Sequence, residues 1–103
     1  MIEVYERVTR YEFSALPTDD INRTVYTITV EYRGDDKWAV MWLGNAYDAK
    51  GRKKYEPLPS SRTEAFIRRY RHDLETAKRI AREMAPKIVV NGKTVEDALA
   101  WVQ

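Results

Sequence analysis

Residues 24–33 alternate without interruption. Tyr26, Ile28, Val30 and Tyr32 fall on one side, and Thr27, Thr29, Glu31 and Arg33 on the other. A period of two marks a strand with one face buried and the other wet, which requires an antiparallel sheet and a layer to cover it. Every other element has to be compatible with that sheet.

Upstream, residues 2–14 are rich in β-branched and aromatic side chains and read as a strand. Ile2, Val4 and Val8 share one parity while Tyr5, Tyr11 and Phe13 share the other, so a bulge is expected near Glu6–Thr9. Leu16-Pro17-Thr18-Asp19-Asp20 and Gly34-Asp35-Asp36 supply turns. Residues 37–47 read as a third strand that is apolar on both faces, with Trp38, Val40 and Trp42 opposed to Ala39, Met41 and Leu43. Asp48-Ala49-Lys50-Gly51 then turns the chain, and Arg52–Glu56 can pair as a fourth strand.

Pro57-Leu58-Pro59 ends the sheet. Ser61-Arg62-Thr63-Glu64 has the spacing of a capping box, which predicts a helix to about Tyr70. Asp73 predicts the cap of a second helix, from Leu74 to about Ala85, before Pro86. The break at Arg71-His72-Asp73 leaves open one bent helix or two. Asn91-Gly92 fits a tight hairpin turn, and Thr94 can cap a last helix with Val95, Ala98, Leu99 and Val102 on one side. Strands followed by helices predict an α+β fold. The expected form is an antiparallel sheet of three to four strands, helices packed on one face, and a short C-terminal hairpin and helix. A chain of 103 residues suits one domain. Its sheet should occupy about 2–56, its helical part about 61–85, and its hairpin and terminal helix about 88–103.

Most site chemistry lacks its residues. There is no cysteine and a single histidine, His72, so neither a thiol nucleophile nor a histidine-rich metal centre is available. No G-x-S-x-G, P-loop or G-x-G-x-x-G motif occurs. The pairs Asp19-Asp20 and Asp35-Asp36 sit in predicted turns, where solvated aspartates serve turn chemistry. Asp35, Asp36 and Asp48 offer the oxygen ligands that magnesium prefers, but nothing in their spacing specifies a site. No catalytic residue, metal or cofactor is expected. No apolar run approaches the ~20 residues that span a bilayer, and the start lacks signal-peptide character. The expectation is a cytoplasmic protein with no membrane partner.

Charge is unevenly distributed. Residues 1–49 carry five basic and nine acidic side chains, a net of −4, whereas residues 50–87 carry twelve basic and five acidic, a net of +7. Lys53, Lys54, Arg68, Arg69, Arg71, Lys78, Arg79 and Arg82 stand out. Two readings are open. A helix-borne stripe with a basic hairpin could follow a nucleic-acid backbone. The same charges could line a solvated face, with Glu75 pairing to Lys78 or Arg79.

Aromatic residues form 12% of the chain. They can fill a core, stack on bases or anchor a protein contact. Tyr26 and Tyr32 on the alternating strand, and Trp101 near the C-terminus, are the candidates for a protein-binding surface, including self-association.

Several segments carry a resemblance: Trp38-Ala39-Val40 with Trp42, then Tyr55-Glu56-Pro57-Leu58-Pro59-Ser60-Ser61-Arg62-Thr63. They continue with His72-Asp73-Leu74, Ala77 and Ala81, Ala85-Pro86, and Val90-Asn91-Gly92. Across residues 38–94 the chain resembles small proteins encoded by phages of actinobacteria, whose function is not known. The resemblance implies expression inside an infected bacterial host and action by binding a host or phage macromolecule; the lack of catalytic constellations and the aromatic excess make a non-enzymatic accessory module that binds a host or phage protein the leading expectation. The resemblance supplies no catalytic residue. The order of the Trp38–Leu43 strand, the basic hairpin and the following helix is also similar to the three-stranded DNA-binding domains of some integrases. Pro57-Leu58-Pro59, the second helix and Asn91-Gly92 depart from that pattern.

Overall fold

Thr27–Tyr32 forms a strand, β2, whose alternation matches its burial: Ile28 and Val30 are fully enclosed while Thr27, Thr29 and Glu31 are partly exposed. The computed structural model describes residues 1–101. The other strands are β1 (Arg10–Ser14), β3 (Trp38–Trp42), β4 (Asn45–Tyr47) and β5 (Lys53–Tyr55). They form an antiparallel meander in the order β1-β2-β3-β4-β5. Three helices follow: α1 (Glu64–Tyr70), α2 (Leu74–Met84) and α3 (Val95–Ala100). The fold class is α+β, as the order of elements implies.

There are five strands rather than three or four, because residues 37–47 are two strands. Leu43 and Gly44 both take positive φ, 44° and 81°, and close a two-residue hairpin between Trp42 and Asn45. Residues 2–9 belong to no strand, contrary to expectation, and there is no bulge. β2 ends at Tyr32, whose N–H donates to Thr9 O at 2.9 Å, and the chain turns at Gly34–Asp36. No described strand remains for residues 1–8 to pair with. The change of parity marks the chain leaving the sheet.

The helices occupy both faces, which corrects the expectation of one. Tyr26, Ile28, Val30, Trp38, Val40 and Tyr47 pack with Ala77, Ile80 and Ala81 of α2 and Val95 and Ala98 of α3. On the opposite face, Ala39, Met41 and Ala46 pack with Phe66 and Tyr70 of α1. β3 alternates between the two clusters, which explains why its sequence is apolar on both sides.

The helix starts follow their caps. Thr63, not Ser61, caps α1 by accepting from Phe66 N at 3.1 Å; Ser61 lies in a short 3₁₀ turn. Asp73 caps α2 by accepting from Thr76 N at 2.8 Å. Thr94 and Asp97 form a reciprocal capping box on α3. The Arg71–Asp73 break separates two helices, and His72 pairs with Trp38 in a short antiparallel bridge. Val102, expected on the last helix, lies outside the described residues.

Candidate docking groove

Asn91 and Gly92 take positive φ and form the tight turn their pairing predicts, with Val90 and Lys93 exchanging both backbone hydrogen bonds at 2.9 Å. The turn delivers Thr94 to cap α3, so Ala98 and Trp101 follow at a fixed distance from Val90. Across from them the loop before β2 ends in a 3₁₀ turn, Arg23–Tyr26. Tyr26 Oη donates to Lys93 O at 2.9 Å, and Trp42 Nε1 donates to Val25 O at 2.9 Å. These bonds fix the loop against both the hairpin and the sheet.

Between them runs a groove of about 620 Å³ whose walls include Val25, Tyr26, Val90, Ala98 and Trp101, with Asn91 and Lys93 at one side. Trp101 is 53% exposed and Val25 37%. Ile21, Val89 and Leu99 in the same segments of the chain are exposed as well. Asp97 is also on the wall, but its carboxylate accepts from Thr94 N–H, which holds its pKa below the usual aspartate value.

Two of the three aromatic candidates meet here, in different roles. Trp101 forms an exposed wall. Tyr26 lies in the 3₁₀ turn just before β2 rather than on the strand; it is 4% exposed and forms part of the inner wall, because it packs in the core that α2 and α3 cover. Tyr32 is elsewhere. It stacks edge-on against Trp38 at 5.3 Å and lies under the Arg7 guanidinium at 4.6 Å. Neither tyrosine presents the open aromatic sheet face that alternation alone suggested. Val25 and Val90 were not singled out in the sequence; the apolar residue immediately before Asn91-Gly92 was the available signal for the second.

The basic candidates do not form one stripe. Arg71 is buried, and its Nη1 donates to Glu56 Oε1 at 2.8 Å. Arg69 donates through Nε and Nη2 to Asp48 Oδ2, at 3.1 and 3.0 Å. Arg79 pairs with Glu83, one turn on, rather than with Glu75. Lys78 and Arg82 lie over Tyr11 and Phe13 of β1, at 4.4 and 5.3 Å from the ring centroids. Lys53 lies over Trp42 from β5, the opposite edge of the sheet. Lys54 on β5 and Arg68 on α1 are exposed.

Two buried carboxylates organise the arginines. Glu56 accepts from Arg33, Arg62 and Arg71. Asp48 accepts from Arg52 and Arg69 and from the N–H groups of Lys50 and Arg52. Burial alone would raise the Asp48 pKa; the Arg52 and Lys50 N–H groups and the Arg69 guanidinium outweigh it and hold the pKa below the usual value. His72 Nε2 lies 2.9 Å from Tyr47 O and must be the protonated nitrogen, since a carbonyl only accepts. Asp48 is thus committed to arginines, while Asp35 and Asp36 sit in the β2–β3 turn. Among the described residues no set of three histidine or carboxylate side chains is placed to hold a metal ion, and no helix is long and apolar enough to cross a membrane. Compared with protein-family models, curated proteins and solved structures, the chain matches none.

Proposed function

We propose that this protein is a non-enzymatic binding module, an accessory protein of an actinobacterial phage that engages a host or phage protein through the Trp101 groove. The carrying observation is the convergence of Trp101, Val25 and Val90 on one open apolar groove whose floor is rigidly held. Exposed tryptophans beside apolar pockets are the usual anchors of protein interfaces. The segments that form the groove also expose Ile21, Val89 and Leu99, and apolar exposure of this extent favours a protein over a small molecule. The partner is a protein segment that presents a bulky aliphatic or aromatic side chain.

Display of random peptides against the intact protein tests this. Selected sequences should share one bulky apolar residue, and Trp101→Ala should weaken their binding by at least tenfold, about 1.4 kcal/mol. Binding should change little between about 50 and 200 mM salt, a range over which phosphate contacts weaken steeply. Peptides that bind Trp101→Ala as tightly as the parent would overturn the site. Tight DNA binding at the lower salt, lost at the higher and lost in Lys78→Glu/Arg82→Glu, would support the nucleic-acid reading instead.

A further inference from the structure

The first nine residues are all exposed, including Ile2, Val4, Tyr5 and Val8. Their radial cost is visible in the whole chain: its radius of gyration is 15.4 Å, against roughly 13 Å for a compact domain of this length. The segment leads directly into β1, an edge strand bonded only to β2. In an antiparallel ladder, backbone groups of successive residues alternate between the two sides. Tyr32 N–H donates to Thr9 O, so Thr9, Tyr11 and Phe13 face β2. Arg10, Glu12 and Ser14 direct their N–H and C=O groups away from it. Arg10–Ser14 therefore offers an open strand edge, continued by the strand-forming sequence of residues 2–9, with no partner among the described residues.

We propose that this edge pairs with the same edge of a second copy of this chain, residues 2–14 running antiparallel to the partner's residues 2–14 about a two-fold axis at Val8. A two-fold axis perpendicular to a sheet pairs residues of equal parity, so each symmetric register is defined by its central residue. Centring on Glu6 opposes Glu6 to itself, and centring on Arg7 opposes Arg7 to itself. Centring on Thr9 opposes Glu6 to Glu12, and centring on Arg10 opposes Arg10 to itself. Like charges directly opposite are destabilising. Among the centres from 6 to 11 only Val8 and Tyr11 avoid every such clash, and Val8 pairs the whole of residues 2–14 where Tyr11 pairs only residues 8–14. The Val8 centre also sets Glu6 opposite the partner's Arg10, Tyr5 opposite the partner's Tyr11, and Val8 opposite the partner's Val8. The occupant of this edge is written in its own sequence. Edge pairing joins the two five-stranded sheets into one and covers apolar side chains that a monomer leaves in water. The surface shares no residue with the Trp101 groove, so either can fail without the other.

Sedimentation equilibrium on the full chain tests the pairing. Up to about 100 µM, where a complex of ordinary strength is populated, the mass should be twice 12.1 kDa. Val8→Pro removes a central N–H donor and should give folded monomers that keep the parent's helical circular dichroism and melt lower only by the stability that dimerisation supplies. Glu6→Arg should raise the dissociation constant at least about tenfold, and adding Arg10→Glu should recover most of that loss. A monomeric parent chain overturns the proposal, as does a dimer that Val8→Pro leaves intact. Loss in Glu6→Arg without recovery in the double variant overturns the register.

Discussion

Glu56 is one carboxylate serving three guanidinium groups, from Arg33 at the end of β2, Arg62 before α1 and Arg71 between the helices. His72, beside Arg71 in sequence, is the only histidine in the chain and is 6% exposed. Burial is the main reason its pKa lies below the ordinary value of 6.5, although the Tyr47 carbonyl and the Asp48 charge oppose the shift. The folded state thus resists a proton that the unfolded chain accepts. Stability must fall as pH drops below about 6.5, and that loss ends once the lowered folded pKa is passed. Asp48 works in a different window. Its lowered pKa adds stability above its unfolded value of 3.8, lost as pH falls further. Urea midpoints measured from pH 7.5 to 3 should therefore decline in two stages. His72→Gln, which keeps a donor for Tyr47 O, should remove the first stage alone. An unchanged slope between pH 7 and 5 in that variant would refute the assignment. None of this network was legible from sequence. The excess of arginine over residues 50–87 was visible, but which arginines meet Glu56 depends on a tertiary fold that brings residues 33, 62 and 71 together.

Element by element, the sequence was most informative where a capping side chain or turn pair sets the backbone locally. Asp73, Thr94 and Asn91-Gly92 act within three residues of themselves, and each does what its spacing implies. Residues 37–47 failed because Leu43-Gly44 carries no turn signal at its first position. Leu43 is 59% exposed with φ 44°, a conformation that disfavours a leucine by about 1–2 kcal/mol. Hairpin pairing on both sides, to Trp42 and Asn45, holds it there. Leu43→Asn should relieve that strain, since asparagine tolerates the left-handed region and precedes glycine in preferred hairpin turns. The expected gain is about 0.5–1 kcal/mol in chemical denaturation. A neutral or destabilised variant would mean that the leucine side chain makes a contact outweighing its backbone cost. The strand expected at residues 2–9 failed for the opposite reason: its propensity is genuine, and the folded chain has no neighbouring strand to satisfy it.

At the scale of the molecule, the sheet separates two cores of unequal size. The larger, under α2 and α3, includes Leu16, Ile28, Val30, Val40 and Ile80, each 2% exposed or less. The smaller consists of Phe66 and Tyr70 of α1 over Ala39, Met41 and Ala46, with the two rings stacked at 4.6 Å. The asymmetry explains why binary patterning identified a covered sheet yet placed every helix on one face. Alanine at positions 39 and 46 marks a close-packed second layer only weakly. It also implies a hierarchy of opening. α1 has seven residues, and releasing it exposes two large side chains while β1–β3 remain covered by α2. Local opening should therefore be cheaper at α1 than at the central strands. In hydrogen exchange, amides late in α1 should open at lower free energy than those of β2 and β3. Phe66→Ala, a loss of about 3–5 kcal/mol when fully felt, should accelerate α1 strongly. Amides of Ile28, Val30 and Val40 should slow or quicken little by comparison, because their cluster does not include Phe66. If Phe66→Ala speeds both sets equally, the two cores unfold as one cooperative unit and the sheet does not divide them energetically.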